Sequence, residues 1–460
     1  MQIKQLEDFI FAKMSKTGLP GVSMALVDGD EVVWSRGFGF ARIKTGRPAT
    51  SRTLYSTGSV TKSFTALAIM QLHEQDKLDL EDPVDQHLDT QLPGVTIRHL
   101  LSHTSGIPGL AYAECVIRGV TGAGEHILPM ATYRDMLTFL RGAESWRVAK
   151  PGEKMYYLNE GYILLGLVVE KCTGMTFADY VQQAILRPLG MDRSMFAQSA
   201  FQADKDRAVP YARTDEGPFL ESGYAFRRLL SDGGLISNVL DLARYVAMYL
   251  GSGTYKQQRV AGQASIASMC RPAIAQNMSP GPFGQPGYGF GLTVLPDFMG
   301  NTLIGHSGSV GTATAYIGFI PAAAKGVAVL ANSSGYSTTH MGMYGLAALV
   351  GAEPGQLPFV QRENILDSLT GMYETFHGTM SAEIRWSEDI LYLISKDKYT
   401  SSRVALIPGT VTENEVTGFS LAGSSRIPFA FRLHGSDIRL IHERYCLRRS
   451  GPLPPAAKGE

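Results

Sequence analysis

The sequence predicts an α/β (α+β) protein: an antiparallel sheet flanked by helices, with a helical subdomain, followed by a small antiparallel β-barrel or sandwich. Two observations lead to this fold class. Within residues 1–351, β-rich runs stand at both ends and helical patterns fill the middle, so the end strands can share one sheet while the helical insert packs on it and beside it. Beyond residue 365, short alternating β-rich runs recur between turn signals, the pattern of a small barrel or sandwich.

The elements of the first region follow in chain order. The opening stretch "MQIKQLEDFIFAKMSKTG" predicts an amphipathic helix, and the two β-rich runs around Asp28-Gly29-Asp30 predict a hairpin. Helices are then expected from Ser59 onward, with a Ser or Asn cap before the one near residues 237–253. Strands return in "YGFGLTVLP", "GTATAYIGFIP" and "KGVAVLANSS", and a final helix is expected at about residues 335–351.

The change of composition after Gly351 predicts two domains. We expect a first domain at residues 1–351, a linker at 352–365, and a β domain at 366–449. The tail "GPLPPAAKGE", residues 450–460, is expected to be disordered.

Composition excludes several classes of protein. The 42 basic and 42 acidic residues balance, so no basic footprint for nucleic acid is present. No unbroken apolar run is long enough to span a bilayer, and the first helix does not resemble a leader, which favours a cytoplasmic protein, or a secreted one if a leader was removed. Four scattered cysteines without a CxxC pair predict free thiols, with neither a zinc site nor a disulfide framework. We expect no metal site and no cofactor.

Ser59 and Lys62 form an SxxK pair at the start of an apolar helical pattern. About 3.6 residues complete a helical turn, so both side chains fall on one face. A hydroxyl at a helix start, with a lysine buried beside it, is one way to activate a weak nucleophile. The alternative is a capping serine with a solvent-exposed lysine, because SxxK alone occurs by chance in many chains.

Two further motifs follow in order: Tyr157-Leu158-Asn159 before an apolar helix, and His306-Ser307-Gly308 beside a predicted strand. With these, residues 2–351 resemble the serine β-lactamase and penicillin-binding-protein-like family, in the branch that holds class C β-lactamases, DD-peptidases, D-aminopeptidases and carboxylesterases. The stretches "TIRHLLSHTSGIPG" and "SDGGLISNVLDLARY" support the resemblance. His103 in the first of these is expected to hold a loop.

The resemblance implies a role for each matching position. Ser59 would be the acylated nucleophile, Lys62 its proton partner, and Tyr157 the general base or proton shuttle. Asn159 would orient the Lys62 amine and the substrate amide. Tyr156 adjoins Tyr157, but only Tyr157 has the family's spacing to Asn159.

The third motif implies the binding side of the same site. The backbone N–H groups of Ser59 and Ser309 would form the oxyanion hole, and Gly308 would let its strand approach the substrate. True β-lactamases of this group mostly carry lysine where this chain has His306. A largely neutral imidazole suits a substrate carboxylate less well than a permanent cation does.

The resemblance therefore implies a serine hydrolase with a small-molecule or peptide substrate, working as a D-amino-acid-specific peptidase or amidase, or as a carboxylesterase. Alternatives are an acyltransferase using the same acyl-enzyme, a weak β-lactamase, and a non-enzymatic binding protein that kept the fold. The β domain is similar to the lipocalin-like barrels that follow some peptidase domains of this family. Such a barrel could cap a cleft or build a homo-oligomer.

Overall fold

The computed structural model describes residues 3–121, 132–214, 219–223 and 230–454. Contacts between residues divide the chain into two compact units, Met1–Ala352 and Glu353–Glu460. Each unit is described by itself.

A large antiparallel sheet forms the centre of the first unit. Within the described ranges it has nine strands, which in spatial order are Ile274–Ala275, Gly287–Tyr288, Thr293–Phe298, Asn301–Ser309, Thr314–Ile320, Lys325–Ala331, Gly21–Asp28, Glu31–Arg42 and Arg47–Pro48. The predicted hairpin joins two of them, and its first strand pairs on the other side with Lys325–Ala331. The two ends of the region thus share one sheet, as the sequence predicts.

The central strands are buried on both faces because helices cover both. Gly21–Asp28 is buried from its first residue to its seventh, which explains why it reads as an apolar run rather than an alternating one. Helix Val239–Leu250 covers the face that carries Ala25 and Val27. Helix Thr338–Leu349 covers the opposite face, where its Gly345 lies against Met24 and Leu26. Asn238 caps the first of these helices by accepting from the backbone N–H groups of Leu240 and Asp241.

The helical part of the first unit comes from the middle of its sequence, between the strands near the start of the unit and those near its end. Its core helix, Asn159–Thr173, is buried along most of its length. Its shorter neighbours share the same apolar core. The α-helices of the unit are Ile3–Thr17, Thr61–Glu74, Val84–His87, Ile97–Leu101, Tyr112–Thr121, Tyr133–Phe139, Asn159–Thr173, Phe177–Val181, Gln198–Ala203, Val239–Leu250, Gln263–Cys270 and Thr338–Leu349.

The second unit is a closed antiparallel barrel. In the described part of the chain its eight strands follow one another in sequence order, and the last pairs with the first: Gly371–Glu374, Ser381–Ser387, Ile390–Lys396, Ser401–Val411, Glu415–Ala422, Ser425–His434, Asp437–His442 and Tyr445–Gly451. Closure removes the strand edges that an open sandwich would expose.

The segment predicted as a linker, 352–365, contains regular structure. A short 3₁₀ turn, Pro354–Gln356, is followed by helix Pro358–Leu369. Leu366 and Leu369 of this helix are buried in the same apolar cluster as the barrel interior. Pro358, at the first helical position, begins a helix rather than ending one.

The expected disordered tail falls mostly outside the described residues. The last strand reaches Gly451, and residues 455–460 are not among those described.

No single helix within the described ranges is long and apolar enough to cross a membrane. The helices Asn159–Thr173 and Phe177–Leu186 form a bent pair and meet at 78°. Taken together, they reach the length and apolar composition of a membrane span, by these two criteria alone.

Candidate functional site

Ser59 lies in a 3₁₀ turn, Gly58–Val60, immediately before helix Thr61–Glu74. The sequence predicts that Ser59 is the first residue of the helix, whereas the structure places it in the turn that leads into the helix. Thr61 holds this turn by donating from its hydroxyl to the carbonyl of Gly58 at 2.7 Å. The Ser59 side chain therefore stands at the open start of a buried helix, facing a cavity of about 540 Å³.

Two glycines allow the strand Asn301–Ser309 to lie directly against this turn. A Cβ on Gly308 would stand 2.0 Å from the carbonyl oxygen of Thr57 and 2.9 Å from the backbone nitrogen of Ser59. A Cβ on Gly58 would stand 2.8 Å from the backbone nitrogen of Ser309. The backbones of Ser59 and Ser309 consequently meet at the wall of one cavity, which both residues line.

Lys62 is fully buried beneath Ser59. Its Nζ donates to Ser59 Oγ at 3.1 Å, to Asn159 Oδ1 at 2.7 Å and to the backbone carbonyl of Asp232 at 2.7 Å. An ammonium has three hydrogens, and here three oxygens accept them. The exposed lysine and capping serine considered above are therefore not what the structure shows.

Tyr157 lines the cavity, whereas its neighbour Tyr156 is not among the described lining residues. The Lys62 ammonium lies 5.0 Å from the centre of the Tyr157 ring, and the ring of His103 lies 4.1 Å from it on another side. His103 Nδ1 accepts from the backbone N–H of Leu158 at 3.0 Å. The histidine thus holds the segment that presents Tyr157 and Asn159, the loop-holding contact expected from the sequence.

His306 is buried and turned into a hydrogen-bond chain along the cavity wall. Its Nδ1 lies 2.5 Å from the carbonyl oxygen of Ser307, which can only accept, so this nitrogen carries the proton. Its Nε2 is then free to accept from the hydroxyl of Tyr288 at 3.0 Å. Burial, reinforced by the Lys62 charge, lowers the pKa of His306 to about 4, so the imidazole is neutral at pH 7.

An acidic side of the cavity was not assigned a role from the sequence. Asp232, in the "SDGG" stretch, and Glu114 both line the cavity, and Glu160 is buried close behind them. Burial raises the pKa of Asp232 to about 6, against the opposing charge of Lys62, and raises the pKa of Glu160 as well. The signal in the sequence was an aspartate followed by two glycines inside an otherwise apolar stretch.

The structure brings all the sequence-predicted site residues together. Ser59, Tyr157, Asn159, His306, Gly308 and Ser309 line the cavity, and Lys62 contacts Ser59 and Asn159 from beneath. Three motifs that lie far apart in the chain thus converge at the junction of the sheet and the helical region. This arrangement is typical of serine hydrolases with a penicillin-recognising fold.

The chain belongs to the beta-lactamase family, whose sequence profile matches residues 6–352. That family comprises serine hydrolases. A second profile, described as the Pab87 octamerisation domain, matches residues 354–448.

Known relatives agree with this assignment. The structure of an octameric penicillin-binding protein homologue from Pyrococcus abyssi is 40% identical, covers 98% of this chain and 100% of that chain, and superimposes with a TM-score of 0.91. Penicillin-binding protein 4* of Bacillus subtilis is 34% identical over 36% of this chain and 36% of its own length. Protein flp of Staphylococcus aureus is 26% identical over 72% of this chain and 63% of its own length. The match thus spans about a third of the first curated relative and less than two thirds of the second.

Proposed function

We propose that the protein is a serine hydrolase that works through an acyl-enzyme on Ser59. One observation carries the proposal: Lys62, fully buried, donates to Ser59 Oγ at 3.1 Å at the start of a helix and at the wall of a cavity. A serine so placed combines a nearby proton partner with the positive end of the helix. The contacts of Lys62 with Asn159 and Asp232 restrain its ammonium in this position.

Each side chain has a task in the proposed reaction. Ser59 Oγ attacks the substrate carbonyl, its proton passes to the Tyr157 and Lys62 pair, and the oxyanion accepts from the backbone N–H groups of Ser59 and Ser309. The leaving group takes the proton back and departs. Water then attacks the acyl-enzyme by the same route and regenerates Ser59. All three hydrogens of the Lys62 ammonium are engaged in the arrangement seen here, so the pair accepts the serine proton either on Tyr157 as a phenolate or on Lys62 after the ammonium has given up a proton.

Amides, peptides and esters are the proposed substrates, with D-amino-acid peptidase or amidase activity or carboxylesterase activity favoured over β-lactam hydrolysis. The position that would offer a cation to a carboxylate holds His306, which is neutral because its pKa lies at about 4. Among the described residues that line the cavity, none is lysine or arginine. A β-lactam, which carries a carboxylate, would find little electrostatic attraction there.

We also propose that the chain assembles into a homo-octamer through its second unit. The support is the octamerisation-domain profile over residues 354–448 and the octameric relative with which this chain shares 40% identity over nearly its whole length.

The test of the acyl-enzyme is intact-protein mass spectrometry after incubation with a fluorophosphonate, an activated ester and a β-lactam. We expect one adduct per chain, located on Ser59 by peptide mapping. Ser59→Ala should remove it. The matched control is Ser309→Ala, which deletes a hydroxyl from the same cavity but keeps the backbone N–H, and it should still be labelled. Full labelling of Ser59→Ala would overturn the assignment.

A further inference from the structure

A second, smaller cavity adjoins the catalytic one. Its volume is about 80 Å³. The residues that line both cavities are Thr293, His306, Ser307 and Thr339. The remaining walls of the smaller space, among the described residues, are formed by Leu295, Leu303, Gly305, Tyr316 and Met343. We call this space the side pocket; it borders the cavity into which Ser59 faces.

The side pocket lies between one face of the sheet and a helix. Gly305 and Ser307 occupy alternate positions of strand Asn301–Ser309, so they belong to the same face of the sheet. Met343 of helix Thr338–Leu349 covers this face from above. The pocket is therefore built on regular elements that hold its shape.

Two paired glycines make the room. Gly305 and Gly318 lie opposite each other in neighbouring strands, and neither has a side chain to fill the floor. Tyr316 lies across the gap: its hydroxyl oxygen would stand 3.1 Å from a Cβ on Gly305 and 2.6 Å from one on Gly318. A Cβ on Gly342 of the covering helix would stand 2.4 Å from Tyr316 Cδ1. The ring is thus held between sheet and helix, with its hydroxyl beside Gly305 at the pocket wall.

The hydroxyl of Tyr316 is buried without a partner. The residue is 4% exposed and lines the side pocket. Burial raises the pKa of Tyr316, and no hydrogen bond from another described residue contributes to that shift. A buried hydroxyl without a partner carries a desolvation cost. An occupant of the pocket that offers a polar atom would relieve it.

The other walls favour a small, uncharged occupant. Leu295, Leu303 and Met343 are apolar, and no described lining residue is charged at pH 7, because burial and the Lys62 charge keep His306 neutral. Since a water occupies about 30 Å³, the space holds a group of about three non-hydrogen atoms. The side chains of valine and threonine have this size.

We propose that the side pocket is a subsite that selects the substrate by one small side chain, of the size of valine or threonine, and that the Tyr316 hydroxyl makes it prefer threonine. The inference rests on the proposed acyl-enzyme function and narrows its substrates. Ser307 stands two residues before Ser309, whose N–H is assigned to the oxyanion hole, and two residues of extended strand span about 7 Å. A substrate residue next to the scissile carbonyl covers that distance with its backbone and side chain together.

Protection of Ser59 against labelling tests the subsite without requiring turnover. A fluorophosphonate labels the full-length protein at pH 7.0, and the N-acetylated amides of glycine, valine, threonine and phenylalanine are added as competitors, the last three as D and L enantiomers. For the better enantiomer, valine should halve the labelling rate at a concentration at least about tenfold lower than glycine, because its methyl groups become buried. Threonine should be about threefold more potent than valine, the ratio that part of one neutral hydrogen bond provides. Phenylalanine, which is too large, should be no better than glycine.

Two variants locate the effect. Tyr316→Phe keeps the shape of the ring and should make valine at least as potent as threonine. Met343→Ala removes three non-hydrogen atoms from the pocket wall and should raise the potency of the phenylalanine amide about tenfold relative to glycine. The matched control is Met248→Ala, which truncates an equally buried methionine in helix Val239–Leu250, on the other face of the sheet, and should leave phenylalanine no better than glycine.

The outcomes separate the subsite from the catalytic proposal. Potencies that do not depend on the side chain would show that the pocket holds only water and overturn the subsite. The same conclusion follows if phenylalanine gains nothing in Met343→Ala, or gains equally in Met248→Ala. A threonine preference that survives in Tyr316→Phe overturns the role of the hydroxyl. A protein that the fluorophosphonate does not label at Ser59 contradicts the proposed function instead.

Discussion

Lys62 and Tyr157 bring the proton chemistry of the site to one point. The ammonium lies 5.0 Å from the centre of the tyrosine ring and 3.1 Å from Ser59 Oγ. If both residues serve one proton transfer, removing either one disables it, and removing the second adds little.

A double-mutant cycle tests this. Lys62→Met and Tyr157→Phe should each lower the rate of Ser59 acylation on the order of 100-fold or more. The double variant should lose far less than the product of the two. The measurement is the pre-steady-state burst with an activated ester, with Ser309→Ala as the control for a change elsewhere in the cavity. Losses that multiply would show two independent roles.

Asp232 makes stability depend on pH in a direction opposite to most carboxylates. Burial raises the pKa of Asp232 to about 6 from an ordinary 3.8, against the opposing charge of Lys62. The folded state thus binds a proton at the Asp232 carboxylate more tightly than the unfolded state does. The stability that comes from the bound proton is fully present below pH 4 and is lost as the pH rises through 6.

Replacing Asp232 by Asn should therefore stabilise the protein only at the higher pH. We expect unfolding free energies equal to wild type at pH 4 and up to roughly 3 kcal/mol higher at pH 7, the amount that corresponds to the difference between the two pKa values. Urea titrations at pH 4, 5, 6 and 7 measure this, with Glu413→Gln as the control. An advantage that is the same at every pH would show that Asp232 acts by packing and not by charge.

At the scale of elements, the site depends on how closely a strand can approach a turn. Asn301–Ser309 and Gly58–Val60 meet through two glycines, and a methyl group on Gly308 would stand 2.0 Å from the Thr57 carbonyl oxygen. Backbone cannot move aside cheaply, so an added methyl must push the strand away from Ser59.

Gly308→Ala should consequently damage catalysis more than stability. We expect Ser59 labelling to slow about 100-fold, because a displacement near 1 Å at an oxyanion site has that effect, and the unfolding free energy to fall by about 1–3 kcal/mol. Gly281→Ala is the control, since nothing lies within 4 Å of its added Cβ. Unchanged labelling in Gly308→Ala would show that the strand does not contribute to the site.

The sequence was most informative where chemistry and local pattern coincide. Ser59, Lys62 and Tyr157 stand at fixed spacings beside apolar helices, and the structure brings these motifs together around one cavity. Asp232 lies in the "SDGG" stretch, but no fixed spacing ties it to these motifs: its importance comes from burial and from a lysine 170 positions away in the chain. Contacts of this kind exist only after folding, and for that reason sequence reasoning missed the acidic side of the cavity.

Boundaries at the level of elements were harder to predict than the elements themselves. Ser59 lies in a 3₁₀ turn rather than at the first position of the helix. Gly58, just before it, adopts a left-handed conformation with φ of 51°, which local propensity does not reveal. Helix Pro358–Leu369 begins inside the predicted linker, runs past its end at residue 365, and packs its apolar residues with the barrel. Propensity alone could not show that packing, which stabilises a short helix.

At the scale of the whole molecule, all residues of the proposed site belong to the first unit, Met1–Ala352, while the octamerisation profile covers 354–448. Alternating strands predicted a barrel or a sandwich without deciding between them, since both alternate inward and outward residues. The closure of the last strand on the first, which decides for a barrel, is a long-range pairing between residues 371–374 and 445–451.

This separation leads to a prediction about chemistry and assembly. A chain that ends at Ala352 keeps the complete set of proposed catalytic residues, so we expect it to fold, to be monomeric by light scattering, and to turn over a small activated ester within about threefold of the full chain, a difference below 1 kcal/mol. Residues 353–460 alone, with their own apolar core, should form the oligomer. An octamer from the shortened chain would place the assembly surface in the first unit, and a shortened chain that does not fold would show that the two units depend on each other for stability.

Comparing a small ester with a longer peptide in the full and shortened chains then separates the two roles considered for the barrel. A barrel that controls access to the cavity predicts that the shortened chain gains activity on the peptide alone, whereas a barrel that serves only assembly predicts the same ratio of the two rates in both chains.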